Sequence, residues 1–533
     1  MNDIWNALVK DSSATIDKHF DAIMDDLLVS ILAKEWRVRQ ATCAAVADLL
    51  QGRSIDKVRQ KLLQVNNASA NNQQYEKYLT SIWDKCFKVL DDIKETVRVA
   101  AASLARVLTT ILTRSLEAGD ASIKTANAQL SRVLPFLFST SGLESSAEEV
   151  RMFSVHTLLQ IVKKATAKTL NPHVPELVER LLGLLSSLEP EAVNYIHLNA
   201  SKYNLTAQKI DDMRLASVRS SPLTESIERC LDLADAETMK ALVPRLESAM
   251  KTAVGLPSKV GCSRILVTLS TRHRFLFKPY ADHFLALIHK HIHDRNDTVS
   301  TSYAAASGYI ARLASDKQLL TTISFARAQY FDTEEGGSNR ARLLAGDMIH
   351  ALSLHASDRF TSLASSILPF VFLAKHDSDN AVKKIFTETW DEHVAGPRSI
   401  SLYLTEILNL CDTHLDARQW AIKHTSARAV ADAVLSITSV IGSENLEKQT
   451  AEKIWPVLDK ALGGKSWEGK EVVVDAFVRF VERGEGWWGE EGEGERVKVL
   501  EKVATREAKR KEGANEKVVR PAVERLRKFL GSE

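Results

Sequence analysis

Gly464-Lys465-Ser466 has the ending of a phosphate-binding loop, in which backbone amides and a lysine cradle a nucleotide's phosphates. The first glycine of GxxxxGK[ST] would fall on Asp459, and no strand pattern leads into the segment, so nucleotide binding is not expected. His289 and His293 stand four apart on a predicted helix, with His283 and His291 nearby, a spacing at which two imidazoles can share a metal ion. No carboxylate sits in HExxH register with them, so a packed or solvated histidine face is expected instead. Asp211, Asp212 and Glu225 are acidic residues without an accompanying nucleophile and base. No catalytic, cofactor-binding or metal-ligating residue is assigned, and the chain reads as a non-enzyme.

Arg506, Lys509, Arg510 and Lys511 form a basic cluster of the kind read by nuclear import, but Glu507 and Glu512 interrupt it and a solvated helix face is expected. The whole chain of 533 residues carries a net charge of only +2, which gives no global field toward nucleic acid or an anionic membrane. Its five cysteines, Cys43, Cys86, Cys230, Cys262 and Cys411, are scattered without a CxxC pair. That argues against a disulfide framework and for buried thiols in a reducing compartment. The acidic first thirty residues lack a signal-peptide core, and no uninterrupted apolar run approaches a membrane span, so a cytosolic or nuclear protein is expected.

The elements that must position these residues repeat. From Asp91 to Leu112, apolar residues fall at Val97, Ala100, Ala101, Leu104, Leu108 and Ile111, one face of a helix. Asp91 and Asp92 suit its N-terminal end. The same grammar recurs at Val150, Ser154, Leu158 and Ile161, and at Cys43, Val46, Ala47 and Leu50. Anchors Val38, Val97, Val150, Val260, Val299, Ala341, Val382, Ile422, Gly469 and Val519 align these second helices, with steps of 39, 42, 41 and 40 from Val260 to Ile422. That period belongs to antiparallel helix-pair repeats. Pro135, Pro244, Pro369 and Pro456 precede their anchors by 15, 16, 13 and 13 residues, which suggests a shared bend in each first helix.

The fold expected is all-α, a HEAT/armadillo-like helical-repeat solenoid in which each pair buries its apolar face on its neighbours. Phe370–Leu373 and Val472–Val474 are β-like runs in helical phase and are read as helix. The expected organisation is repeats over 1–185, an irregular insertion or lengthened repeat over 186–226, repeats over 227–482, a mobile Gly/Glu/Trp loop over 483–495, and charged C-terminal helices over 496–533. In such a repeat Val38 belongs to the core, and Arg39, Arg98 and Arg151 reach acidic residues of a neighbouring repeat. Trp390, Trp487 and Trp488 are the candidate partner contacts, as aromatic residues able to anchor an interface.

Several segments exceed what core packing demands. They are Trp36-Arg37-Val38-Arg39 leading to Asp48 and Gly52; Asp91 to Arg98; Asn171 to Pro175; Leu188 to Pro190 with Asn194 and Tyr195; and Ser220 to Pro222. They continue with Val254 to Leu256, Lys259 to Cys262, Asp294-Arg295-Asn296, Thr389-Trp390, Ser401 to Leu404, and Ser466-Trp467 to Glu471. In this order they resemble the C-terminal half of the proteasome adapter and scaffold family, over about residues 1–480. Family members carry a long N-terminal HEAT region absent here, so the chain is expected to be a fragment or a truncated form.

The resemblance implies a non-enzymatic scaffold without a cofactor. It would bridge or stabilise proteasome core and regulatory particles, take part in assembly quality control, and contact other adaptors in cytoplasm and nucleus. Trp36, Arg37, Arg39, Asp48, Gly52, Pro190, Asn194, Tyr195, Asp294, Arg295, Asn296 and Trp467 are then family-motif residues with structural roles. The alternative is a HEAT scaffold of another assembly, of the nuclear-transport or phosphatase type.

Overall fold

A computed structural model describes residues 12–51, 70–117, 123–140, 142–188, 205–332, 339–394, 396, 398–442, 444–490, 493–510 and 514–531. Gly52, Pro190, Asn194, Tyr195 and Lys511 lie outside the described residues. The described regular structure is helical throughout, and the chain divides into two compact units at Ile265/Leu266.

In the first unit the helices pair along the chain: α1 (Ser12–Ser30) with α2 (Trp36–Gln51), α3 (Ala70–Leu90) with α4 (Glu95–Glu117), and α5 (Ile123–Leu137) with α6 (Glu148–Lys164). Next come α7 (Val174–Leu184), α8 (Ala207–Arg219) and α9 (Pro222–Asp232), with α7 packed on α9. The stretch expected to be irregular, 186–226, therefore holds α8 and the start of α9, and its boundary at 226 falls inside α9. Then follow α10 (Ala236–Thr252) and α11 (Leu256–Arg272), the latter running across the division. Second helices stack in a layer, α2 on α4 and α4 on α6.

The second unit continues with α12 (Ala281–His291) and α13 (Asp297–Ala311), α14 (Asp316–Phe331) and α15 (Arg340–His355), and α16 (Ala364–Ala374) and α17 (Asn380–His393). It ends with α18 (Leu404–Leu415) and α19 (Trp420–Val440), α20 (Lys448–Leu462) and α21 (Glu471–Arg483), and α22 (Gly494–Ala508) and α23 (Ala514–Phe529). Here α13 packs on α15, α15 on α17, α19 on α21 and α21 on α23 in one layer. In the other layer α12 packs on α14, α16 on α18 and α18 on α20.

Local chemistry sets the helix starts. Ser221, Asp235, Asn296, Ser315 and Asp379 each turn a side-chain oxygen onto an otherwise unpaired amide of the first turn. Pro135, Pro244, Pro369 and Pro456 all lie inside first helices, and the β-like runs Phe370–Leu373 and Val472–Val474 are helical. All of Phe370 to Leu373 is buried at 0 % exposure, because α16 carries apolar residues all round and is packed on every side.

Two expectations need correction. Val38 is 41 % exposed, whereas its counterpart Val97 is fully buried. The buried stripe of α2 runs through Cys43, Val46, Ala47 and Leu50, the phase of Arg39 rather than of Val38, and one residue turns a side chain by about 100° around the helix. Glu95–Arg114 is also long and apolar enough by composition to cross a membrane. Its Val97, Ala101, Leu104, Leu108 and Leu112 are buried within the first unit, as in the core helix of a layered protein.

Candidate interaction surface at the inter-repeat turns

The turn joining the helices of a pair is built the same way in three repeats. Asp92 accepts the amide of Lys94 at 2.9 Å, Asp294 that of Asn296 at 3.0 Å, and Asp377 that of Asp379 at 2.8 Å. An aspartate that caps the amide two residues on stiffens a turn without help from outside.

Arginines then fasten the turns to one another. Arg39 meets Asp92 with Nε to Oδ2 at 2.6 Å and Nη2 to Oδ1 at 3.0 Å, while its Nη1 donates to the carbonyls of Ala33 and Lys34 at 2.8 Å each. Four of its five donors are used, two of them in the fork that suits a carboxylate. The hydrogen bonds from Arg39 hold the Asp92 carboxyl below its usual range. Arg98 closes its own turn on the carbonyl of Asp92 at 2.9 Å and reaches Glu149 of the next repeat at 3.5 Å. Arg151 caps the carbonyls of Ser145 and Ser146 at 2.8 and 3.0 Å. In the second unit Arg342 lies 3.2 Å from Asp377, and Tyr330 donates its hydroxyl to the same carboxylate at 2.6 Å. Arg340 bonds the carbonyl of Asp294 and pairs with Asp297.

Of the family-motif residues that are described, Trp36, Asn296 and Trp467 make local contacts beside these turns. Trp36 lies under Arg37, its guanidinium carbon 5.2 Å from the ring centre. Asn296 caps α13, and Arg295 and Asp48 face solvent. Trp467 stacks on His424 at 4.2 Å and carries Arg428 at 5.1 Å.

Trp390, Trp487 and Trp488 do not present a partner surface: their exposures are 5, 4 and 1 %. Trp487 and Trp488 belong to a helical turn, Glu485–Trp488, and not to a mobile loop. Trp488 donates Nε1 to the Val481 carbonyl at 2.9 Å and meets Phe529 edge-on, while Trp487 packs on Trp455 and Phe480. The apolar gain from burying two indoles outweighs the helix-breaking tendency of the glycines around them. Trp390 lies against Phe372 at 5.1 Å, with the Lys375 ammonium 5.2 Å from its ring centre.

Of the basic C-terminal cluster, Lys509 is exposed, while Arg506 and Arg510 turn to a buried carboxylate. Glu507 is fully buried and receives Arg506 at 2.9 Å and Arg510 at 3.1 Å, with the Lys470 ammonium 3.8 Å away. A solvated face is thus corrected to a charged core knot, in which burial lowers the Lys470 ammonium to about 8. Sequence reading passed over Lys470, and likewise Lys375 and Asp432, which pair at 3.0 Å. Lys470 and Lys375 stand at helix ends, where the apolar period gives no signal, and only Asp432 interrupts an apolar helical stripe.

His289 and His293, weighed as a metal pair, both pack on the ring of Phe325. His289 stacks flat on Phe325 at 4.4 Å and burial lowers it to about 4. Asp211 is buried beside Arg214, 3.8 Å away on its own helix. All five thiols are buried, and burial raises Cys43 and Cys230 to about 12. Among the described residues no three His, Cys, Asp or Glu side chains gather as a metal site. What the arrangement does offer is a series of stiff turns that expose side chains at their tips, such as Ile93 at 93 %, Val254 at 80 % and Phe275 at 80 %.

Paired helices in two stacked layers, tied by arginine and aspartate from turn to turn, define a HEAT-repeat protein. Residues 170–331 match the family model of the proteasome adapter and scaffold protein ECM29, HEAT-repeat domain. The chain is similar to curated proteins of that name. It is 32 % identical to the proteasome component ECM29 of Saccharomyces cerevisiae, over 91 % of this chain and 25 % of that protein. It is also 32 % identical to the proteasome adapter and scaffold protein ECM29 of Homo sapiens, over 90 % of this chain and 25 % of that one. With the proteasome component ecm29 of Schizosaccharomyces pombe it shares 27 % identity, over 96 % of this chain and 28 % of the relative. The chain thus spans about a quarter of the length of the curated relatives it matches, and the resemblance read from its residues is met again in all three.

Proposed function

We propose that this chain is a scaffold segment that binds the proteasome and helps hold its core and regulatory particles together without catalysing a reaction. The observation that carries the reading is the similarity to proteasome adapter and scaffold proteins along nine-tenths of the chain. The physical mechanism is avidity: stiff turns spaced one repeat apart offer several modest contacts, and each contact made raises the effective concentration for the next. The same reading places the chain in cytoplasm and nucleus with the proteasome, with roles in assembly quality control and contacts to other adaptors.

Affinity capture of the 533-residue chain from lysate, followed by mass spectrometry, tests it. Recovery of both core and regulatory subunits is the expected result. Recovery of neither, from protein shown to be helical and monodisperse, would sink the proposal for this segment.

A further inference from the structure

A cleft of about 620 Å³ opens in the second unit between the turn that leads into α12 and the link between α13 and α14. Its walls are tied to each other. Asp282 accepts both the amide and the hydroxyl of Ser315, at 2.8 and 2.7 Å. Arg359, reaching up from the next repeat, donates to the Ala314 carbonyl at 2.9 Å and to Asp316 at 2.7 Å. The cleft is therefore preformed, and both of its carboxylates are already engaged.

Two of its three cations are not. Lys278 and Arg312 line the opening, are exposed, and have no carboxylate partner among the described residues. Arg274 beside them lies over the Phe275 ring, whose centre is 4.8 Å from its guanidinium carbon. Phe275 itself stands at the cleft on the helical turn Arg274–Phe277, with 80 % of its surface in solvent. An aromatic side chain left in water among unopposed cations, over a fixed cleft, is the composition of an interface anchor with a charged rim.

We propose that this cleft docks an acidic peptide segment of a partner protein, one that sets an aromatic or aliphatic side chain against Phe275 and carboxylates against Lys278, Arg312 and Arg274. Charge complementarity selects this occupant. A single-stranded nucleic acid would also bring negative charge and a stacking base, but it would find one aromatic platform in the cleft rather than a row of them. The inference concerns the chemistry of the partner and holds whichever assembly supplies it.

Fluorescence anisotropy with the full chain tests it. The probe is a fluorescein-labelled peptide of alternating Glu and Ser with one central Phe. The comparison probes replace Glu by Lys, replace Phe by Ala, or substitute labelled oligo(dT). The acidic Phe peptide is expected to bind at least about tenfold tighter than each of the others and to weaken as salt rises. Lys278→Glu with Arg312→Glu, and separately Phe275→Ala, are each expected to weaken it about tenfold while circular dichroism stays as in the parent. Should the double reversal disturb the fold, Arg312→Ala with Lys278→Ala reads the same contacts more gently. Equal binding of the Lys peptide, tighter binding of oligo(dT), or indifference to the substitutions would overturn the proposal. So would concentration-dependent self-association abolished by Phe275→Ala, which would assign the cleft to a second copy of the chain.

Discussion

Arg39 and Asp92 lie in neighbouring repeats and form a two-bond fork, 2.6 and 3.0 Å, that ties one inter-helix turn to the next. Arg39→Ala leaves Asp92 without its partner and two turn carbonyls without their donor, so the melting temperature should fall by a few degrees. Arg39→Lys should recover only part of the loss, because an ammonium does not reproduce the fork. The Asp92 carboxyl titrates below its unfolded value, so the contribution of this pair is present above about pH 4 and is lost as pH falls through the lowered value. Melting curves of parent and Arg39→Ala should therefore converge in acid. A constant gap down to the lowest pH would show that the pair is not what the substitution removed.

Trp488 is a core residue, and Trp488→Ala should cost on the order of 3–5 kcal/mol in the stability of the C-terminal repeats. Denaturant unfolding followed by circular dichroism would register it. No change in the transition, with loss of a binding activity instead, would restore the tryptophan to a partner role.

The Tyr330 hydroxyl is wholly buried against Asp377, and burial together with that carboxylate raises the phenol well above its ordinary value. Tyr330→Phe removes one donor from a buried carboxylate that Arg342 still accompanies, at a cost of about 1–3 kcal/mol. Adding Arg342→Met should show coupling between the two sites, since both act on the same carboxylate. Strict additivity in that double-mutant cycle would argue against a shared network.

Thiol chemistry gives a direct check on packing. With all five cysteines buried, Cys43 and Cys230 raised to about 12 and Cys86 and Cys411 raised as well, the native protein should leave a thiol reagent at pH 8 essentially unreacted. Denaturant should release five thiols. Prompt reaction of any one in native buffer would mark a local opening around it.

His289 and His414 are both lowered to about 4 by burial, and His414 stacks on Phe331 at 3.6 Å. Below about pH 6.5 the unfolded chain binds protons that the folded one refuses, so stability falls as pH drops toward the lowered values. His414→Gln should flatten the melting temperature between pH 7 and pH 5 relative to the parent. An unchanged slope would move the acid sensitivity to other groups.

Helix, repeat and the family resemblance were legible in the sequence alone. Apolar residues at helical spacing, a step near forty residues and prolines at one phase follow from what each helix must bury, and that demand is written locally. The Arg39 ladder was legible for the same reason, since its residue types recur in register. What only the tertiary structure decided is where side chains of mixed character end up. Val38 and Arg39 are adjacent, and a small rotation of α2 exposes the valine and turns the arginine inward. Trp487 and Trp488 sit among glycines and glutamates, yet Phe480, Trp455 and Phe529 gather over them from other helices. Glu507 reads as a surface residue until Lys470, from another repeat, is brought to within 3.8 Å of it. Burial is a property of neighbours distant in the chain, and a helical period predicts which face is buried far better than it predicts what meets that face.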